Sequence, residues 1–183
     1  MALANKMTEA RFGMQGMGLM DGMTVVLSGD GCMMEGITHE AACIAGHLKL
    51  DNLVVFYDSN NICLDGPTSE CFSEDTAARF RAYGWAVEDI DGNDLDQIDH
   101  AFTAARERTD APTMIIAHTI IGKGAPNKAG TNSAHGAPLG EDEIALAKES
   151  YGWPKDEKFY VPDGVREHFE AGVGSRGAAA FAS

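Results

Sequence analysis

Thr24-Val25-Val26-Leu27-Ser28-Gly29-Asp30-Gly31 and Leu53-Val54-Val55-Phe56-Tyr57-Asp58-Ser59-Asn60-Asn61-Ile62 decide how this chain folds. Each opens on an apolar, β-branched run of strand length and closes on polar turn residues. Between them Ile37, Ala41, Ile44 and Leu48 recur at helical spacing on one face, so the segment reads strand, helix, strand. In such a unit the strands are parallel and the crossover right-handed, which puts Asp30 and Asn60 at the same edge of the sheet. That is the edge at which open α/β sheets bind ligands. An acid and an amide presented there can share one hard cation.

Magnesium takes near-octahedral oxygen ligands and receives only a few of them from protein. Asp30 offers a carboxylate oxygen, Asn60 an amide oxygen and Ile62 a backbone carbonyl, and two diphosphate oxygens with a water complete the shell. Gly29 and Gly31 let the backbone approach the phosphates, and amides of the turn entering the helix at Glu35-Gly36 can donate to them. Either motif alone is an ordinary turn. Set on successive strand ends, the pair reads as a magnesium diphosphate site.

Composition bounds the partners. The chain has 183 residues, 44% apolar and 23% charged, enough for one proper core. Its formal net charge of -14 repels a nucleic-acid backbone and an anionic membrane surface, so neither is expected as a partner. One anionic cofactor held locally by a metal is compatible with that charge. Cys32, Cys43, Cys63 and Cys71 form no C-x-x-C pair, and the sequence has no signal-peptide pattern or long apolar stretch. The reading is of reduced thiols, buried or half-buried, in a cytoplasmic protein.

The remaining elements follow from periodicity and punctuation. Met1-Ala2-Leu3-Ala4-Asn5-Lys6-Met7 has helix-forming composition without a preceding N-cap, and residues 12–23, rich in glycine and methionine, read as a loop. A short helix over 76–83 ends at Gly84, and Trp85-Ala86-Val87 opens a third strand. Asn93 or Asp94 caps a helix whose Ile98, Ala101, Phe102 and Ala105 share a face. Pro112-Thr113-Met114-Ile115-Ile116-Ala117 is a fourth strand, followed at its carboxyl end by a glycine- and asparagine-rich loop over 122–136. A helix lies near 144–148, and from Trp153 the periodicity fades into a tail expected to fray.

Two motifs are rejected. Thr38-His39-Glu40 is no zinc helix, since Cys43 stands where the second histidine is needed. Asp89-Ile90-Asp91-Gly92-Asn93-Asp94 lacks the closing glutamate of a calcium loop and reads as a strand-to-helix turn. His135, flanked by Gly136 in the long loop, is either solvated or able to reach a phosphate or a reacting oxygen.

Six stretches together resemble transketolase: Gly29-Asp30-Gly31-Cys32-Met33-Met34-Glu35-Gly36-Ile37-Thr38-His39-Glu40, residues 58–66, Tyr83-Gly84-Trp85, Asp89-Ile90-Asp91-Gly92, Thr119-Ile120-Ile121-Gly122 with Pro126-Asn127-Lys128-Ala129-Gly130, and His135-Gly136-Ala137-Pro138-Leu139-Gly140. The resemblance covers residues 1–151 and leaves 152–183 as an irregular, partly helical tail. It implies part of a six-stranded parallel α/β domain, helices on both faces, that binds thiamine diphosphate and Mg2+. By that resemblance Asp30, Asn60 and the Ile62 carbonyl hold the metal, Gly31 contacts the diphosphate and Leu64 lies near the cofactor rings. His135 becomes the catalytic candidate, binding the diphosphate and facing substrate near the thiazolium. Glu35 falls at a dimer contact, and Asn61 stands where glycine is more usual.

The implied activity is transfer of a two-carbon ketol unit between sugar phosphates, as in the pentose phosphate pathway. Family segments that precede this point, and the second-domain glutamate that activates the cofactor, are not in the sequence. The expectation is therefore an interior piece, inactive alone, that works as a homodimer or with a companion chain carrying the missing domains. A related dihydroxyacetone synthase or deoxyxylulose-phosphate synthase, and a non-catalytic or split-enzyme binding module, stay open as alternatives.

Overall fold

In the computed structural model, which describes residues 1–13, 20 and 22–182, all four expected strands form one sheet. They are β1 (Thr24–Gly29), β2 (Leu53–Ser59), β3 (Ala86–Asp91) and β4 (Thr113–His118), all parallel, in the spatial order β1-β2-β4-β3. The register pairs Gly29 with Asp58, and Ser59 with His118, so the strands finish level with one another. Most of the glycine- and methionine-rich stretch over 12–23 lies outside the described residues.

Alternation along β2 and β4 builds a core on each face of the sheet. Tyr57, Met114 and Ile116 face one layer, with Met33, Ala42, Ala45, Phe80 and Trp85. Val54, Ile115 and Ala117 face the other, with Ala101 and Ala105. The first layer comprises α1 (Ala2–Phe12), α2 (Asp30–Met34), α3 (Gly36–His47) and α4 (Thr76–Ala82). The second is α5 (Leu95–Glu107), whose Phe102 stacks on Phe56 with ring centroids 5.8 Å apart. Asp94 caps α5 by accepting from the N–H groups of Asp96 and Gln97, and Asp75 caps α4 by accepting from Ala78. Gly84, at φ 86°, ends the turn after α4 as the sequence suggests.

Three expectations are corrected. The helical stripe of Ile37, Ala41, Ile44 and Leu48 does not face the core: Ile37 is 67% and Ile44 57% exposed. The buried side of α3 is Ala42, Ala45 and Gly46, because the helix lies close against Tyr83 and Trp85, and Trp85 Nε1 donates to the Ala42 carbonyl at 2.8 Å. The helix after β1 begins at Asp30, earlier than expected, and breaks at the extended Glu35 before resuming at Gly36. Cys32, Cys43 and Cys71 are exposed rather than buried, and Cys63 is half-buried, all four as free thiols. The tail winds into helix over α7 (Val165–Phe169), a π-helical turn (Glu170–Gly174) and α8 (Ser175–Ala182), where the alanines of 178–180 supply the propensity. No helix among the described residues is long and apolar enough to cross a membrane.

Candidate active site at the carboxyl edge of the sheet

Asp30 follows β1 directly and Asn60 follows β2, so the parallel register brings both to the same edge. Asp30 is 4% exposed, a burial that a carboxylate sustains only when its oxygens are satisfied. They are. Oδ2 accepts from the backbone N–H groups of Asn60 and Asn61, at 3.1 and 3.0 Å, and Oδ1 accepts from the Tyr57 hydroxyl at 2.7 Å. Burial first, then the Asp30 bond, holds the Tyr57 phenol well above its ordinary range, so it remains a donor at neutral pH.

The turn after β2 is built around Asn61, whose φ of 62° is one an asparagine adopts without a β-branched clash. Asn60 Oδ1 accepts from the Ile62 N–H at 3.0 Å, which fixes the side-chain amide and keeps one lone pair of its oxygen unused. The carbonyls of Asn61 and Gly66 are taken by the N–H groups of Thr68 and Cys63, whereas no described donor meets the Ile62 carbonyl.

The long loop after β4 returns over this edge. The Glu143 carboxylate in α6 (Glu141–Ser150) receives Asn127 through both its backbone N–H and its side-chain amide. Those two bonds hold the Glu143 carboxyl below its ordinary range. Tyr151 and Ser150 donate to the carbonyls of Lys123 and Gly124, and Asn132 donates to the Asp65 carbonyl. The loop thus pinned carries His135, whose Nδ1 is buried without a hydrogen-bond partner among the described residues.

A cavity of about 300 Å3 collects the result: Asp30, Gly31, Glu35, Asn60, Ile62 and His135 all line it. Leu64 does not; it is 67% exposed on the neighbouring loop. The oxygen donors are one carboxylate, one amide and one main-chain carbonyl, which suits a hard cation. Among the described residues no group of three or more His, Cys, Asp and Glu could hold a metal. A hard cation on three such oxygens would take the rest of its shell from a ligand and water. The sequence reading missed Tyr57. The signal was available, since a tyrosine within a buried apolar strand needs a partner for its hydroxyl.

A parallel sheet sandwiched by helices, with a polar cavity at the ends of adjacent strands, defines an α/β domain of the ligand-binding kind. The family model for the transketolase thiamine diphosphate binding domain matches residues 1–182, and the chain belongs to that family. The transketolase of Staphylococcus aureus strain MRSA252 is 52% identical over 171 residues, 93% of this chain and 26% of that protein. Transketolase 1 of Escherichia coli K12 is 48% identical over 172 residues, again 93% and 26%. The solved transketolase of Leishmania mexicana superposes with a TM-score of 0.93 at 38% identity, over 99% of this chain and 27% of that one. The chain spans about a quarter of the length of the curated relatives it matches.

Proposed function

We propose that this chain supplies the Mg2+ and thiamine diphosphate site of a transketolase, which moves a two-carbon ketol unit between sugar phosphates. The observation that carries the reading is the single cavity lined by Asp30, Asn60, Ile62 and His135 in a chain of this family. When bound, the cofactor supplies the nucleophilic carbon and the electron sink of the reaction. Asp30, Asn60 and the Ile62 carbonyl would hold the cation, and Gly31 would give the diphosphate room at the backbone. His135 donates to a phosphate or a substrate oxygen through its imidazole. Leu64 serves the cofactor rings from the loop beside the cavity. Glu35, exposed at the cavity's rim, is where a second copy or a companion chain meets the site, in a cytoplasmic assembly without nucleic acid or membrane partners.

Calorimetry with thiamine diphosphate tests the ligand assignment. Binding is expected with Mg2+ and absent in chelator, and Asp30→Ala or Asn60→Ala should remove most of it. Equal heats with and without the metal, or unchanged affinity in both variants, would refute the site. Ketol transfer itself is tested by grafting the chain in place of the matching quarter of the Staphylococcus aureus transketolase. The graft should turn over xylulose and ribose phosphates, and lose that activity with Asp30→Ala.

A further inference from the structure

The acceptor count on Asp30 is uneven. A carboxylate presents about four lone-pair sites, two on each oxygen. Oδ2 has both filled, by the N–H groups of Asn60 and Asn61, and Oδ1 has one filled, by Tyr57. A single acceptor site remains, and it belongs to the oxygen that Tyr57 holds. Tyr57 is 4% exposed, with its ring in the core beside Met33, Phe80, Met114 and Ile116, so the hydroxyl is aimed by packing rather than by a flexible stem. It reaches Asp30 from behind. It lines a separate cavity of about 230 Å3 on the side of Asp30 shared with Thr68 and Thr76, and takes no part in the cavity where His135 stands.

We propose that Tyr57 is a positioning residue that presents Asp30 to the cation through one oxygen, Oδ1, in a fixed orientation. The inference rests on Asp30 being a metal ligand, as proposed above. Outer partners of metal-binding carboxylates act in this way, and their loss typically weakens metal affinity about 10- to 100-fold. Mg2+ tolerates little departure from octahedral geometry, whereas Ca2+ accepts variable and bidentate carboxylate binding. Freed from Tyr57, Oδ1 regains a second open site, and the two bonds on Oδ2 alone are left to fix the orientation of the carboxylate. The loss should therefore fall on Mg2+ more than on Ca2+.

The test is the concentration of Mg2+, and separately of Ca2+, needed for thiamine diphosphate binding to the chain, in wild type, Tyr57→Phe and Asp30→Ala. Far-ultraviolet circular dichroism and thermal melts accompany each titration. Tyr57→Phe should keep its helix content and need about 10- to 100-fold more Mg2+, with a smaller change for Ca2+. Tyr57→Leu, which lacks the hydroxyl and also alters the packing, should show the same metal preference if it folds. Wild-type metal dependence in Tyr57→Phe overturns the proposal and leaves the site reading intact. An equal loss for both metals overturns it too, since a purely structural role predicts that. Binding by the wild type that ignores metals overturns the site reading, and this inference with it.

Discussion

The Glu143 carboxylate accepts two hydrogen bonds from Asn127, from the backbone N–H at 2.7 Å and from the side-chain amide at 2.9 Å. One residue at the start of α6 thereby anchors the loop that delivers His135 to the cavity. Because those bonds favour the charged form, the folded pKa of Glu143 lies below its unfolded value. Its stabilising contribution is then fully present above the unfolded pKa and is lost as pH falls through the folded one. Glu143→Gln, which replaces one acceptor oxygen by a donating amide NH2, should melt below wild type at neutral pH. The gap should close only as pH falls below the ordinary glutamate range, where the depressed folded pKa lies. A gap in melting temperature that stays constant through that fall in pH would show that the charge is irrelevant.

Gly46 sits where α3 passes closest to the turn after α4. A Cβ built there meets the Tyr83 carbonyl oxygen within van der Waals contact, and that oxygen is main chain and cannot rotate away. Gly46→Ala would force α3 off the sheet. Overpacking of this kind costs about 1–3 kcal/mol, read as a lower urea midpoint with the slope unchanged. An unaltered midpoint would mean that the helix has more freedom than its contacts imply.

How much of this was legible in the sequence depends on the kind of force involved. The four strands, their parallel sense and the level ends that unite Asp30 with Asn60 followed from apolar runs and the geometry of strand-helix-strand units. Caps were equally plain, as Asp94 shows, because a cap is a local bond between neighbours in sequence. The buried face of α3 was not. Periodicity picked out its bulky residues, but close packing against Tyr83 and Trp85 admits only Ala42, Ala45 and Gly46. Arg79 was also invisible: it donates to the Met33 carbonyl at 3.1 Å, lies 2.5 Å from His39 Nε2 and pairs with Glu74. Such a junction of α2, α3 and α4 joins residues far apart in the chain, and no spacing rule reports it. From its own flanking residues His135 could be solvated or functional; the resemblance singled it out, and the fold of the loop brings it into the cavity that Asp30 lines.

His135 offers a buried Nδ1 that no described group satisfies, at a cavity where a phosphate or a substrate oxygen can supply the missing partner. It contributes nothing to the oxygen set suited to the cation. In the Staphylococcus aureus graft, His135→Ala should lower kcat by about 10²- to 10⁴-fold, as removal of a hydrogen-bonding acid-base group does. The Mg2+ concentration needed for cofactor binding should move far less. A variant that turns over at the parent rate, or whose metal requirement rises as steeply as its rate falls, would remove His135 from the reaction.

Among the described residues β1 pairs with β2 alone, so its other edge is open, and the side chains along it are apolar. Leu27 is 78%, Val25 45% and Val26 41% exposed, and Val26 and Leu27 border an apolar groove of about 280 Å3 that continues under α3 to Thr38 and Ala41. An unpaired, β-branched edge beside exposed Ile37 and Ile44 is a template for association with another chain. The purified 183-residue chain should therefore sediment as dimers and larger species at micromolar concentration. A lysine at the most exposed position opposes this by charge repulsion between edges and by the cost of burying an ammonium group. Leu27→Lys should shift the sedimentation profile toward monomer with the circular dichroism spectrum unchanged. If the wild type runs as a clean monomer, or if Leu27→Lys associates as strongly as its parent, the open edge is not what drives assembly.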